Sequence, residues 1–242
     1  MACEYGGDKG IFGYGYTGTP LSITNLVSNS GVVGADVTGV GTARRWGGAC
    51  EYGEDKGIFG YGTTGSDSSL TNLVSNAGVV ATDTTGVGTA RAGGVAACEY
   101  GDDKGIFGYG EQSGVGVVSM TNLVSSVGVV ATDVTGVGTA RMGMIACGYG
   151  GDKGIFGFGS AQVGMTNLVS NVGVVGTDVT AVGTGRQGAM ACEYGGDKGI
   201  VAFGWTSGDV NMSNLISNTG VVGADVTGVG SARRYGAACS YN

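Results

Sequence analysis

Val95-Ala-Ala-Cys-Glu-Tyr-Gly-Asp-Asp-Lys-Gly-Ile-Phe-Gly-Tyr-Gly110 is one copy of a unit that fills the chain. Its anchor, Ala-Cys-x-Tyr-Gly followed by Asp-Lys-Gly-Ile, recurs at Cys3, Cys50, Cys98, Cys147 and Cys192, and a truncated sixth copy stands at Cys239. Those positions are 47, 48, 49, 45 and 47 residues apart. A fixed period of this length signals a propeller, solenoid or array.

Outward from the quoted stretch, the unit divides into four extended runs. Strand a is Val95–Tyr100, and Gly101-Asp-Asp-Lys-Gly105 has the residues of a tight hairpin turn. Strand b is Ile106–Tyr109, strand c Met120–Ser125 and strand d Val129–Thr135, and Gly136–Arg141 leads to the next strand a. Short β-rich runs between Gly, Asp and Asn turns predict an antiparallel meander. Glycine scattered through every apolar run opposes helix, at about 1 kcal/mol for each.

Four strands in each repeat is the arrangement of a propeller blade. The succession Gly-Thr-Ala-Arg, Ala-Ala-Cys, a Gly-Asp-Lys turn and Gly-Ile-Phe-Gly-Tyr-Gly resembles a Gly-rich version of the kelch repeat. It departs from that family in two ways: Tyr14, Tyr61, Tyr109 or Phe158 splits the paired glycines, and the usual late Trp is missing. Near-identical Gly-Ile-Phe-Gly-Tyr-Gly repeats also resemble predicted phage and environmental sequences. The fold expected is therefore all-β: a closed five-bladed β-propeller of four-stranded antiparallel blades, one domain over residues 1–242. Its repeats start near 1, 48, 96, 145 and 190. A β-solenoid is the alternative, but its coils are usually shorter and its open ends need atypical caps. Met1–Tyr5 and Ala237–Tyr241 compete for one inner strand, and the C-terminal stretch 236–242 is expected to take it and close the ring.

Composition narrows the function. The net charge of −7 disfavours nucleic acid, and no apolar run reaches the roughly 18–20 residues of a membrane span. The start Met-Ala-Cys-Glu-Tyr-Gly lacks the basic and apolar regions of a signal peptide, so a cytoplasmic or virion location is expected. One cysteine in each repeat predicts buried free thiols, with Cys3 and Cys239 the one pair able to meet at the chain ends. With no His and no Cys-x-x-Cys, no metal site or cofactor is expected. Catalysis is not expected either: there is no imidazole base, and Asp36, Asp83, Asp133, Asp178 and Asp225 repeat where a protease dyad would not. Those carboxylates are expected to bond local backbone or the recurring Arg44, Arg91, Arg141, Arg186 and Arg233. The arginines are in turn expected to make one structural contact in each blade. Lys9, Lys56, Lys104, Lys153 and Lys198 occupy hairpin turns and are expected in solvent.

The copies differ in two places. The b–c loop has eight residues in copies one, two and five, ten in copy three (Glu111–Met120) and six in copy four (Ser160–Met165). The d–a link after the arginine varies too. Alternating strand direction puts both on one face, with Tyr16, Arg45, Trp46, Trp205, Asp209, Arg234 and Tyr235 as candidate binding residues, clustered where copies one and five meet. Aromatic and Arg side chains are the usual anchors of interfaces. The expected function is a non-enzymatic structural or adhesion module, of the kind found in a phage or virus particle, docking a protein partner or other virion proteins. The alternative is a multivalent lectin-like carbohydrate binder.

Overall fold

A computed structural model describes residues 1–180 and 182–240. The chain is all-β, as the meander pattern predicts. Strands a, b and c form a three-stranded antiparallel sheet in each unit: β1 (Ala2–Tyr5), β2 (Lys9–Tyr16) and β3 (Pro20–Val27) in the first, β4 (Gly48–Tyr52), β5 (Lys56–Gly60) and β6 (Thr71–Val74) in the second. In the third unit β7 (Ala96–Tyr100) and β8 (Lys104–Gly108) are followed by a small hairpin, β9 (Glu111–Gln112) with β10 (Gly116–Val117), and by β11 (Thr121–Val124). The fourth unit has β12 (Ile145–Tyr149), β13 (Lys153–Gly157), β14 (Met165–Val169) and β15 (Val179–Thr180). The fifth has β16 (Met190–Tyr194), β17 (Lys198–Ala202) and β18 (Ser213–Ile216). Register repeats from unit to unit: Cys50 faces Ile58 and Ile58 faces Leu73, as Cys98 faces Ile106 and Ile106 faces Leu123.

Two parts of the expected architecture are overturned. Four of the five units are three-stranded and not four-stranded, the fourth unit alone having a fourth strand, and no closed five-bladed propeller is seen among the described residues. The sheets are six separate antiparallel groups of two to four strands, none closed. The outer strand d fails as a ladder for a local reason. Asn122 Nδ2 donates to Ala131 O at 3.0 Å and to Asp133 Oδ1 at 2.9 Å. A strand-c side chain thus takes bonds that backbone amides would otherwise make. Besides these side-chain bonds the outer segment meets strand c through isolated bridges, Thr121 with Val134 and Val124 with Val130, and through Ala131 N to Leu123 O, which do not make up a continuous strand. Only the fourth unit keeps a two-residue strand there, β15.

Closure also differs from the expectation. β1 packs beside β4, β4 beside β7, β7 beside β12 and β12 beside β16. The N-terminal copy is the one paired with β2, through Cys3 with Ile11 and Tyr5 with Lys9. The C-terminal copy does not displace it. Residues 236–240 run without strand pairing, and Tyr241 and Asn242 lie outside the described residues. All six cysteines are free. Each of the first four fits against a strand-b glycine of the following unit. A Cβ on Gly57, Gly105, Gly154 or Gly199 would stand 2.5–2.8 Å from the sulfur of Cys3, Cys50, Cys98 or Cys147. Only glycine fits beside those sulfurs.

The joint between units centres on the recurring arginine. Arg44, Arg91, Arg141 and Arg186 are fully buried. Arg91 stacks on Tyr61 of its own unit, 4.2 Å from guanidinium carbon to ring centre, then reaches into the third unit. There its Nε donates to Tyr109 O at 2.9 Å and its Nη2 to Asn122 Oδ1 at 2.7 Å. Arg141 repeats this with Tyr109 beneath it and Phe158 O and Asn167 Oδ1 ahead. The residue that splits the glycine pair supplies the ring. Tyr14, Tyr61, Tyr109, Phe158 and Phe203 all adopt φ between 58° and 63°, turning the aromatic under the arginine. A parallel link joins the outer segments: Thr89 donates through both its amide and its hydroxyl to Asp133, as Thr42 does to Asp83.

Arg233 occupies the same repeat position but is exposed and, among the described residues, donates only to Ser231 O, 3.3 Å away. Identical substitutions at the two kinds of site should therefore diverge. Arg141→Ala leaves buried acceptors unpaired and should cost about 3 kcal/mol or more. Arg233→Ala should cost about 0.5 kcal/mol or less. Urea unfolding of both variants checks this, and similar losses would contradict it.

Candidate functional site

The inner strands surround a central passage with two differently built ends. At the a–b turn end a cavity of about 330 Å³ is lined by all six cysteines together with Glu4, Glu51, Glu99 and Glu193. The glutamates occupy the position after each cysteine, on the opposite face of strand a. Gly148 and Ser240 hold the equivalent positions elsewhere. Glu193 leans over Gly148, where a Cβ would meet its Oε2 at 2.2 Å. Burial raises these carboxyls above their usual range: Glu51 to about 9, helped by the charges of Glu99 and Glu4, and Glu4 and Glu99 to about 7. Sequence reading passed over this group, because the x of Cys-x-Tyr looked merely variable. Its signal was Glu at four of the six copies.

At the other end the b–c loops and d–a links meet around a cavity of about 640 Å³. The alternation of strand direction predicts this gathering. The wall contains Tyr16, Arg45, Trp46 and Tyr235 from the candidate set, with Met1, Met142 and Met144 as its apolar part. Arg45 lies between two rings, 4.0 Å from Tyr16 and 4.2 Å from Trp46. Trp205, Asp209 and Arg234 are outside the wall. Arg234 Nε pairs with Asp209 Oδ1 at 3.4 Å, with Trp205 and Tyr235 on either side at 5.5 and 5.6 Å. Copies one and five thus carry the same motif of one arginine between two aromatics. In copy five the charge is neutralised by an aspartate. In copy one Arg45 has no carboxylate within ion-pair distance among the described residues.

Backbone geometry singles out two of these side chains. The second residue after each joint arginine is Trp46, Gly93, Gly143, Gly188 or Tyr235, and all five have φ between 56° and 69°. Glycine adopts this conformation freely, whereas a bulky residue there carries strain. These positions are chained by hydrogen bonds around the passage: Gly94 N to Trp46 O, Gly143 N to Gly93 O, Gly188 N to Gly143 O and Tyr235 N to Gly188 O, at 2.8–3.1 Å. Trp46 and Tyr235 are the first and last members. They are 52% and 61% exposed, so burial does not offset the strain.

The remaining candidates are structural. Lys9, Lys56, Lys104, Lys153 and Lys198 each pair with the preceding aspartate at the turn tip. Four of the five recurring arginines are taken up by the joints. Among the described residues no helix is long and apolar enough to cross a membrane. Comparison with known protein families finds no match, and comparison with curated proteins finds none either.

The glutamate group sets a pH dependence. A carboxyl whose folded value is raised favours the folded chain below its ordinary value near 4.5, and that contribution is lost as pH rises through the folded value. Thermal stability should therefore decline between about pH 5 and pH 9. Glu51→Gln should flatten the decline, raising stability at pH 9 and changing little at pH 5. A flat wild-type profile, or one rising over this range, would refute the assignment.

Proposed function

We propose that the protein is a non-catalytic docking module, of a structural or adhesive kind, that binds a protein partner through the cavity end carrying Tyr16, Arg45, Trp46 and Tyr235. The observation that carries this reading is the pair of left-handed, half-exposed aromatics, Trp46 and Tyr235, at a position filled by glycine in the other three units. Strain of about 1–3 kcal/mol at a surface site lowers stability, so its presence points to use of the ring. The flanking methionines offer a soft, adaptable apolar floor. Arg45 lies between two rings and is partly exposed, and a guanidinium in such a site suits a carboxylate. The partner is thus a protein surface with an acidic side chain set in an apolar patch. That it belongs to a phage or virus particle rests on the resemblance of the repeats alone. The asymmetry of the site favours one protein over several identical sugars, because the aromatics do not recur in units two to four.

Trp46→Gly with Tyr235→Gly restores the residue found in the sister units and, by relieving that strain, should leave the chain folded and more stable by about 1–3 kcal/mol. It should abolish cross-linking of the partner from a photoreactive residue placed at position 16. A photoreactive residue at position 104, at the far end, should capture no partner. Capture from position 104 alone, or retention of the wild-type protein on sugar resin with release by free sugar, would overturn the reading.

A further inference from the structure

A buried arginine and a threonine–aspartate pair join each unit to the next four times. The arginine bonds the neighbour's asparagine in the first three, and among the described residues both are missing a fifth time. Beyond the fifth unit Arg233 lacks the buried acceptors its counterparts use, and Gly195 and Gly230 meet nothing within 4 Å among the described residues. Tyr194 is 38% exposed where Tyr5, Tyr52, Tyr100 and Tyr149 are 3–4% exposed, and Leu215 is 46% exposed. Ahead of the first unit, Phe12 is half-buried where Phe59, Phe107 and Phe156 are fully buried. Asp36 receives Asn25 Nδ2 alone, without the threonine that holds Asp83, Asp133, Asp178 and Asp225.

The sector between these two edges contains residues 236–240. A Cβ on Gly10 would stand 3.0 Å from the sulfur of Cys239, repeating the relation of Cys3 to Gly57. Ser240 Oγ reaches Glu4 Oε2 at 3.4 Å. The C-terminal copy therefore holds the inner position of a sixth sector, with no strand b or strand c outside it among the described residues.

We propose that this sector is a docking site for a polypeptide segment of the same repeat type, entering as a strand b and a strand c without an inner strand of its own. The four joints within the chain act as the mould. Cys192 requires a glycine opposite it, as Cys147 does. Tyr194 and Leu215 require the turn glycine that, as Gly220, packs on Tyr149 and Leu168. Arg233 requires a buried asparagine and a strand-b carbonyl. On the other side Asn25 and Asp36 require an incoming arginine and threonine, so the charges are complementary at both edges. A second copy of this chain is not the occupant, because each of its b strands is already paired with its own a strand. The proposal is independent of the docking function assigned to the cavity end.

The probe is a synthetic peptide with the sequence of residues 101–141, containing strands b and c, Asp133, Thr139 and Arg141. Titrated into the full chain, it should bind one to one and slow amide exchange at Tyr194, Leu215 and Phe12. Peptide Gly105→Leu, or Arg233→Ala in the chain, should weaken binding at least tenfold. Should the free peptide aggregate, the same 41 residues joined after Asn242 provide a second arm. That extended chain should melt higher than the original and lose the gain with Arg233→Ala. Three outcomes would each overturn the proposal: equal binding of the Gly105→Leu peptide, no rise in melting temperature of the extended chain, or concentration-dependent self-association that protects the same residues.

Discussion

The buried arginine that leaves one unit and bonds inside the next is the interaction on which the rest of the structure depends. A three-stranded sheet with an irregular outer segment has too little core to stand alone. The joint supplies what it lacks: a cation stacked on an aromatic of its own unit, with donors taken by asparagine and carbonyl oxygens of its neighbour at Arg91 and Arg141. Among the described residues Arg44 leaves its Nε unpaired, and Arg186 donates only to carbonyls, leaving Asn214 Oδ1 without a partner. Burying a guanidinium is costly unless every donor finds an acceptor, so the joint tolerates little change. That requirement explains why the threonine, arginine, aromatic and asparagine recur together. It also explains why a strand-b aromatic takes up a left-handed backbone in every unit, since only that turn brings the ring beneath the guanidinium.

Because the joint is directional, the array has two unlike ends. Each unit offers an arginine and a hydroxyl forward and an asparagine and an aspartate backward. The first unit's backward face and the fifth unit's forward face are thus complementary, yet they do not meet, because the C-terminal copy lies between them with its cysteine against Gly10. The same directionality ends the chain of backbone hydrogen bonds at Trp46 and Tyr235. The structural opening and the chemically distinctive residues consequently fall in the same region of the molecule, although they present different surfaces: one an apolar cavity end, the other a pair of sheet edges.

Much of this was legible in the sequence. In the third unit, strands a, b and c fall within two residues of their expected bounds, because Gly and Asp turns punctuate β-branched and aromatic runs. The meeting of b–c loops and d–a links follows from strand direction alone. The outer strand was misread because Asn122 and its equivalents look like ordinary strand residues; only their side-chain bonds to Ala131 and Asp133 reveal that the ladder is replaced. The closed ring was misread because five complete repeats suggest five closed blades, whereas the sheets are separate and none is closed. The cysteine motif occurs six times, and all six copies line the passage. The strain at Trp46 and Tyr235 left a trace in the alignment of Gly93, Gly143 and Gly188 with them, but its meaning depends on a positive φ that composition cannot show.

A double-mutant cycle on Arg141 and Asn167, followed by urea unfolding, measures the joint most directly. Direct bonding of the guanidinium to the asparagine oxygen predicts that Arg141→Ala and Asn167→Ala are strongly non-additive, with a coupling of about 1.5–3 kcal/mol. Additivity within about 0.5 kcal/mol would mean that the two side chains stabilise the chain independently, and that the arginine is not what holds one unit to the next.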